Sequence, residues 1–114
     1  MGSVQPMGKP EATVEKYLTD CARARGGDTR KFTSPMHVGV ADRLLLIPFG
    51  LLWFVEVKAD SDESGPQARE RKRMLKLGFR AVVVYGKKDV DLLMIEVDEM
   101  LAHRRVINDA LSFK

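Results

Sequence analysis

The fold is decided by residues 42–58, which read DRLLLIPFGLLWFVEVK. Two apolar runs flank the turn-forming triplet PFG at positions 48–50, and this pattern predicts a hairpin with strands over residues 42–47 and 51–59. The second run is too apolar for a solvated edge strand, so we expect it to be largely buried. A sheet built around this hairpin is therefore the starting point for the fold.

The register of the hairpin follows from the length of its turn. If the turn takes three residues, Ile47 faces Leu51, and Asp42 then faces Glu56. Side chains alternate along a strand, so Glu56 and Lys58 share one face. The sequence thus predicts two carboxylates and a lysine at the open end of the hairpin.

Downstream of the hairpin, strand and helix patterns alternate. In order, they predict a loop at 60–65, a helix to about 77 ended by Gly78, a buried strand at 81–85, a helix over 89–104 and a short helix over 106–111. The strand–helix–strand unit predicts that the second hairpin strand and the strand at 81–85 run parallel, joined by a right-handed crossover.

Upstream, an apolar stripe over residues 14–22 predicts a helix capped by Thr13 and ended by Gly26-Gly27, followed by an extended segment over 28–38. The element order α, β, β, β, α, β, α predicts an α/β fold with a mixed β-sheet flanked by helices.

The composition limits the number of domains and the classes of protein that the chain can belong to. The 114 residues suffice for one domain, which we assign to residues 11–114, and we expect residues 1–10 to be a mobile tag remnant. A single cysteine, Cys21, excludes a disulfide framework and a cysteine-based zinc finger. No apolar run reaches the roughly 20 residues of a membrane span. Lys and Arg outnumber Asp and Glu by 19 to 16, a weak indication of a polyanionic partner.

Facing carboxylates in a half-buried sheet need compensation, either from Lys58 or from a bound cation. Oxygen ligands of this kind suit Mg²⁺ or Mn²⁺. The alternative is that Glu56 and Lys58 form an inert, solvent-facing pair. The apolar strand around them and the facing Asp42 favour the metal site.

These residues resemble the PD-(D/E)xK nuclease superfamily and, more narrowly, its virus-type replication-repair nuclease (VRR-NUC) domain. The resemblance covers roughly residues 13–86 and rests on VEKYL at 14–18, KFTSP at 31–35, GVADR at 39–43, FVEVKA at 54–59, PQ at 66–67 and LGF at 77–79 before VVV at 82–84. Ala41 stands where the family usually has a proline, which shapes the approach to the site and binds no metal. The implied fold is a restriction-endonuclease-like core of αβββαβ order with a C-terminal helix.

The resemblance implies a metal-dependent phosphodiesterase acting on DNA, with Mg²⁺ or Mn²⁺ as cofactor. Asp42, Glu56 and the backbone carbonyl of Val57 would hold the ion, and Lys58 would orient or activate the attacking water. Glu15 matches a further acidic site residue and a potential metal ligand, and Gln67 matches the glutamine that positions water or the lysine.

Two of these assignments have structural alternatives. Glu15 lies in the first turn of the predicted helix, where an acidic residue also favours the helix dipole. Gln67 forms the sequence pattern of a capping box with Ser64, and capping is compatible with a role in the site.

Basic residues near the site predict DNA-backbone contacts, namely Lys31, Arg69, Arg71, Lys72, Arg73 and Lys76.

The substrate and the assembly are predicted together. Stand-alone members of the family resemble dimeric junction resolvases, so we expect a homodimeric, structure-selective endonuclease that resolves four-way (Holliday) junctions in DNA repair, with the apolar tail at 90–113 as a candidate interface. Flap or end processing by the same chemistry, and a non-catalytic DNA-binding module, stay open. We expect no membrane association and a location in the cytoplasm of a bacterial or phage-infected cell, at its nucleoid DNA.

Overall fold

The computed structural model describes residues 9–32, 43–58 and 63–112, with side chains from Glu11 onward. Its elements are α1 (Lys9–Ala24), β1 (Asp28–Lys31), β2 (Arg43–Ile47), β3 (Leu51–Val57), α2 (Gly65–Lys76), β4 (Ala81–Val84) and α3 (Lys87–Leu111). This order is the predicted one. The predicted strand end at Ala59 and the extended residues beyond Phe32 lie outside the described residues.

The four strands form one mixed sheet in the order β1-β2-β3-β4. The first two pairings are antiparallel, and β3 and β4 run parallel, as the strand–helix–strand pattern predicted. Ile47 pairs with Leu51 and Arg43 with Val55, which confirms the hairpin register. The turn takes three residues, and both Phe49 and Gly50 have positive φ.

One face of the sheet carries the main core. Trp53 and Val55 are fully buried there, together with Leu18 of α1 and Val97 of α3. Polar contacts fasten the two covering helices to each other, because the Tyr17 hydroxyl donates to Asp91 and the Arg25 guanidinium binds Asp98 at 2.6 and 3.0 Å. The other face of the sheet meets α2, and the Glu56 side chain of β3 points there.

The first and the last helix differ from the prediction. The first helix begins at Lys9, so Thr13 lies within it and is not its N-cap. Proline is tolerated in the first turn of a helix, which lets α1 start ahead of Pro10, and Glu11 favours the positive end of the helix dipole. The last helix is continuous to Leu111, because no glycine or proline interrupts residues 104–106. Within the described residues, no helix combines the length and apolarity needed to cross a bilayer.

Candidate active site

Glu56 lies near the end of β3 and is only 7% exposed. Alternation along the strand directs Val55 into the main core and Glu56 to the opposite face, toward α2. There it lines a cavity of about 40 Å³, room for roughly two or three water molecules, together with Phe54, Met74 and polar residues of α2. A charged side chain in such an apolar position is costly unless function or partners compensate it.

Gln67 lines the same cavity, so the structure brings it together with Glu56. The capping box is also present. The Ser64 backbone N–H donates to Oε1 of Gln67 at 2.7 Å, and the Gln67 backbone N–H donates to Oγ of Ser64 at 3.2 Å. Because the cap uses Oε1, it fixes the side chain while leaving the Nε2 group as a donor. Both roles considered for Gln67 are therefore geometrically compatible.

Sequence reasoning missed Glu63 as a residue of this cavity. Its side chain is 10% exposed and binds the Arg71 guanidinium through Nη2 at 2.6 Å and Nε at 3.1 Å. Glu63 precedes α2, and Arg71 lies two turns into it, so no local spacing rule marks the pair. Arg71 was predicted to contact DNA. In the structure its guanidinium ties the segment before α2 to the helix, beside Glu56.

The end of β3 orients two more predicted groups. The Lys58 backbone N–H donates to the Val84 carbonyl at 2.9 Å, toward β4. In a trans peptide the C=O and N–H point in opposite directions, so the Val57 carbonyl points away from β4, toward the β2 side. Lys58 is half-buried and follows Val57 at the strand end. By alternation its side chain leaves the strand on the Glu56 face.

Glu15 lies elsewhere. Its Oε2 accepts from Nη2 of Arg43 at 2.6 Å, and both side chains are about one-fifth exposed. Arg43 pairs with Val55, so this ion pair is on the α1 face of the sheet, opposite the Glu56 face. The structure therefore does not bring Glu15 together with Glu56.

Asp42 lies outside the described residues, one peptide unit before Arg43. In the described parts of the chain, no group of three or more Asp, Glu, His or Cys side chains is placed to hold a metal ion. What these parts offer is the Glu56 carboxylate and the outward carbonyl of Val57. Both are oxygen donors of the kind that Mg²⁺ and Mn²⁺ prefer.

The remaining basic residues predicted to bind DNA are exposed. Four of them follow i, i+3, i+4, i+7 spacing and so form one stripe along α2, the basic stripe: Arg69, Lys72, Arg73 and Lys76. Arg71, which faces the cavity, is not part of it. Lys31 is exposed at the end of β1, paired in register with Arg43.

Comparisons with known proteins add an independent finding. No family model matches the chain. A curated relative, "Putative nuclease p44" of Acyrthosiphon pisum secondary endosymbiont phage 1, is 41% identical over 89 residues, covering 77% of this chain and 95% of the relative. A solved structure described as "VRR_NUC domain" matches with a TM-score of 0.70 and 37% identity, covering 75% of this chain and 94% of that one.

Proposed function

The chain belongs to the VRR-NUC family of the PD-(D/E)xK nucleases, and from this premise we propose that it hydrolyses DNA phosphodiester bonds with Mg²⁺ or Mn²⁺. We propose further that it cuts branched DNA and resolves four-way junctions as a homodimer. The observation that carries the proposal is the buried side chain of Glu56, which lines a small cavity together with Gln67. The phage origin of the relative suggests that the DNA is that of an infected bacterial cell.

In this proposal, three oxygen donors would hold the ion: the carboxylates of Asp42 and Glu56 and the carbonyl of Val57. The hairpin register supports the set, because Arg43 pairs with Val55, and Asp42 and Glu56 are the sequence neighbours of that pair. A divalent ion at such a site lowers the pKa of a bound water and neutralises charge on the phosphate.

Other side chains of this chain act beside that ligand set. Lys58 supplies a positive charge on the Glu56 face, where negative charge develops on the scissile phosphate. Gln67, held by its cap, offers Nε2 to orient the attacking water or the lysine. We assign Glu15 a positioning role, since it binds Arg43, the neighbour of Asp42.

The basic stripe of α2 supports a DNA-backbone role. Its side chains are exposed, and the helix that bears them also carries Gln67. A duplex lying along the stripe would gain sequence-independent phosphate contacts close to the site, as expected for recognition of shape. Lys31 extends the proposed surface from the β1 edge.

The decisive experiment incubates the protein with labelled four-way junction, flap, nicked duplex and linear duplex in Mg²⁺, Mn²⁺ or EDTA. We expect paired nicks in the junction with either ion and none in EDTA. Lys58→Ala should reduce cleavage about 100-fold or more. Lys16→Ala is the matched control, because Lys16 is a 77% exposed lysine paired with Asp20 on α1.

Each contrary outcome has its own meaning. Cleavage that survives EDTA contradicts the metal mechanism, and cleavage that survives Lys58→Ala contradicts the proposed role of the lysine. Cleavage of flaps in preference to junctions contradicts junction resolution and favours end processing. Binding to every DNA without cleavage in any lane favours the non-catalytic module.

A further inference from the structure

The last helix has two apolar faces. One packs in the core through Val90, Leu93, Met94, Val97 and Leu101. The other is open to solvent, with Leu92 64%, Ile95 56% and Val106 68% exposed. Together with Glu99 and Ala102, these residues follow the 3-4-3-4 spacing of a heptad seam, and we call this set the α3 seam. It covers the side of the helix opposite the core.

The C-terminal part of α3 extends past the rest of the described fold. Leu101 is its last buried residue, and every residue from 102 to 112 is exposed. At 1.5 Å per residue, about 15 Å of helix therefore extends beyond the packing that the described residues provide. Short unpacked helices are marginal in water, and most helix stability in proteins comes from packing an apolar face. A partner that binds the α3 seam would also pack against this segment.

The charged residues beside the α3 seam favour contact with a second copy of the same chain, in antiparallel orientation. With Ile95 opposite Val106 of the other copy, the flanking positions place Asp98 opposite Arg105 and Glu96 opposite His103, while Leu92 faces Asp109 at the end of the contact. Glu96 also accepts a hydrogen bond from Nε1 of Trp53 of its own chain at 2.6 Å. Asp98 also binds Arg25 of its own chain, and a carboxylate has lone pairs for both partners. An antiparallel pair related by a two-fold axis repeats each contact twice.

The parallel orientation is disfavoured by the same residues. It would place Glu99 against Glu99 of the other copy within the seam. On the flank it would place Asp91 beside Glu96. Like charges in such positions oppose pairing. In the antiparallel arrangement Glu99 instead meets Ala102, a small side chain that leaves its carboxylate access to water.

We propose that two copies of this chain associate through an antiparallel α3–α3 contact, with the two-fold axis passing between Glu99 and Ala102. The proposal rests on the homodimer put forward under Proposed function and deepens it by naming the surface. Its occupant is a second copy of the same chain.

The first test is sedimentation equilibrium of the full chain. Wild type should be a dimer, and Val106→Asp should raise the dimer dissociation constant tenfold or more, because it puts a charge at the apolar contact. Leu111→Asp is the matched control, since Leu111 is 58% exposed on the same helix but lies outside the seam. Circular dichroism should show the fold intact in both variants, with at most residues 102–111 lost from the helix in Val106→Asp, because that segment packs only in the proposed dimer.

The second test fixes orientation by disulfide formation in a Cys21→Ala background. Mixing Ile95→Cys with Val106→Cys should give linked dimers on mild oxidation. Either variant alone should give none, because the antiparallel contact separates each position from its own symmetry mate. Linking by Ile95→Cys alone would overturn the antiparallel arrangement.

The failures can be told apart. If the wild type is a dimer and Val106→Asp does not change its dissociation constant, the α3 contact is wrong and the homodimer forms through another surface. A strictly monomeric wild type overturns both. Neither result bears on cleavage, which the DNA assay measures separately.

Discussion

At the scale of single residues, Arg71 and Glu63 give the site its most definite new contact. The Glu63 carboxylate is nearly buried and is held by two guanidinium nitrogens of Arg71. Removing the guanidinium leaves that carboxylate without its cation, so Arg71→Ala should lower the free energy of unfolding by about 1–3 kcal/mol. Partial exposure of Arg71 keeps this below the value for a fully buried pair. Urea denaturation measures it.

The neighbouring Lys72→Ala is the matched control for Arg71. It removes an exposed cation from the adjacent position of α2, and we expect it to change the free energy of unfolding by less than about 0.5 kcal/mol. Equal losses for both variants would mean that the Glu63 contact contributes nothing beyond an ordinary surface charge.

Asp28 should make the stability of the fold sensitive to acid. Hydrogen bonds from Arg30 and from the Thr29 backbone, with a further one from Arg23, lower its pKa from 3.8 to about 2. A carboxyl with a lower pKa in the folded state stabilises that state above the unfolded value, and this contribution disappears as the pH falls from about 4 to about 2. The melting-temperature difference between wild type and Asp28→Asn should therefore shrink over that interval.

Asp20→Asn serves as the control for Asp28, because Asp20 is an exposed aspartate whose ion pair with Lys16 lies on the same helix surface. Its difference from wild type should be small at every pH. A difference between wild type and Asp28→Asn that stays constant from pH 5 to pH 2 would contradict the proposed stabilisation by Arg30 and Thr29.

At the scale of elements, the conformation of the hairpin turn leads to two predictions of opposite sign for the free energy of unfolding. Phe49 has φ 68° and Gly50 has φ 75°, so an L-residue with a bulky side chain occupies the left-handed region beside a glycine. Phe49→Asn should raise the free energy of unfolding by about 0.5–1 kcal/mol, because asparagine tolerates this conformation. Gly50→Ala should lower it by about 1 kcal/mol. Both changes are read from urea denaturation.

Steric clash does not confuse the glycine result, because a Cβ at Gly50 would meet no atom within 4 Å. A neutral Gly50→Ala variant would therefore show that the turn does not hold this residue at positive φ.

The elements also show which features a sequence can predict. The hairpin register, the parallel pairing of β3 with β4 and the cap at Ser64 depend on residues close in the chain, and all three were predicted correctly. The start of α1 was predicted too late, because Pro10 was taken as outside the fold although a helix tolerates proline in its first turn. The Glu63–Arg71 and Glu15–Arg43 contacts join separate elements, so they depend on packing that no local pattern encodes.

At the scale of the whole molecule, the basic residues of the described structure include two groups: arginines that bind carboxylates of the same chain, and side chains that are exposed to solvent. Arg25, Arg43 and Arg71 are bound by carboxylates of their own chain, whereas the basic stripe of α2 faces solvent. The net charge of +3 therefore understates the positive potential along that helix. The stripe also begins next to Gln67, so DNA attracted by it would approach the cavity that Glu56 lines.

This separation predicts how DNA binding should depend on salt. Each phosphate contact releases counterions, so the affinity for a junction should fall steeply between 50 and 200 mM salt. The double variant Arg69→Ala/Arg73→Ala should bind more weakly and reduce the slope of log K against log salt by about 2, one unit for each contact. Fluorescence anisotropy with Ca²⁺ in place of Mg²⁺ measures binding without cleavage. Lys16→Ala, on α1, should leave the slope unchanged. An unchanged slope in the double variant would mean that the duplex contacts another surface. Equal losses of affinity in the double variant and in Lys16→Ala would mean that the basic stripe acts only through the net charge of the protein.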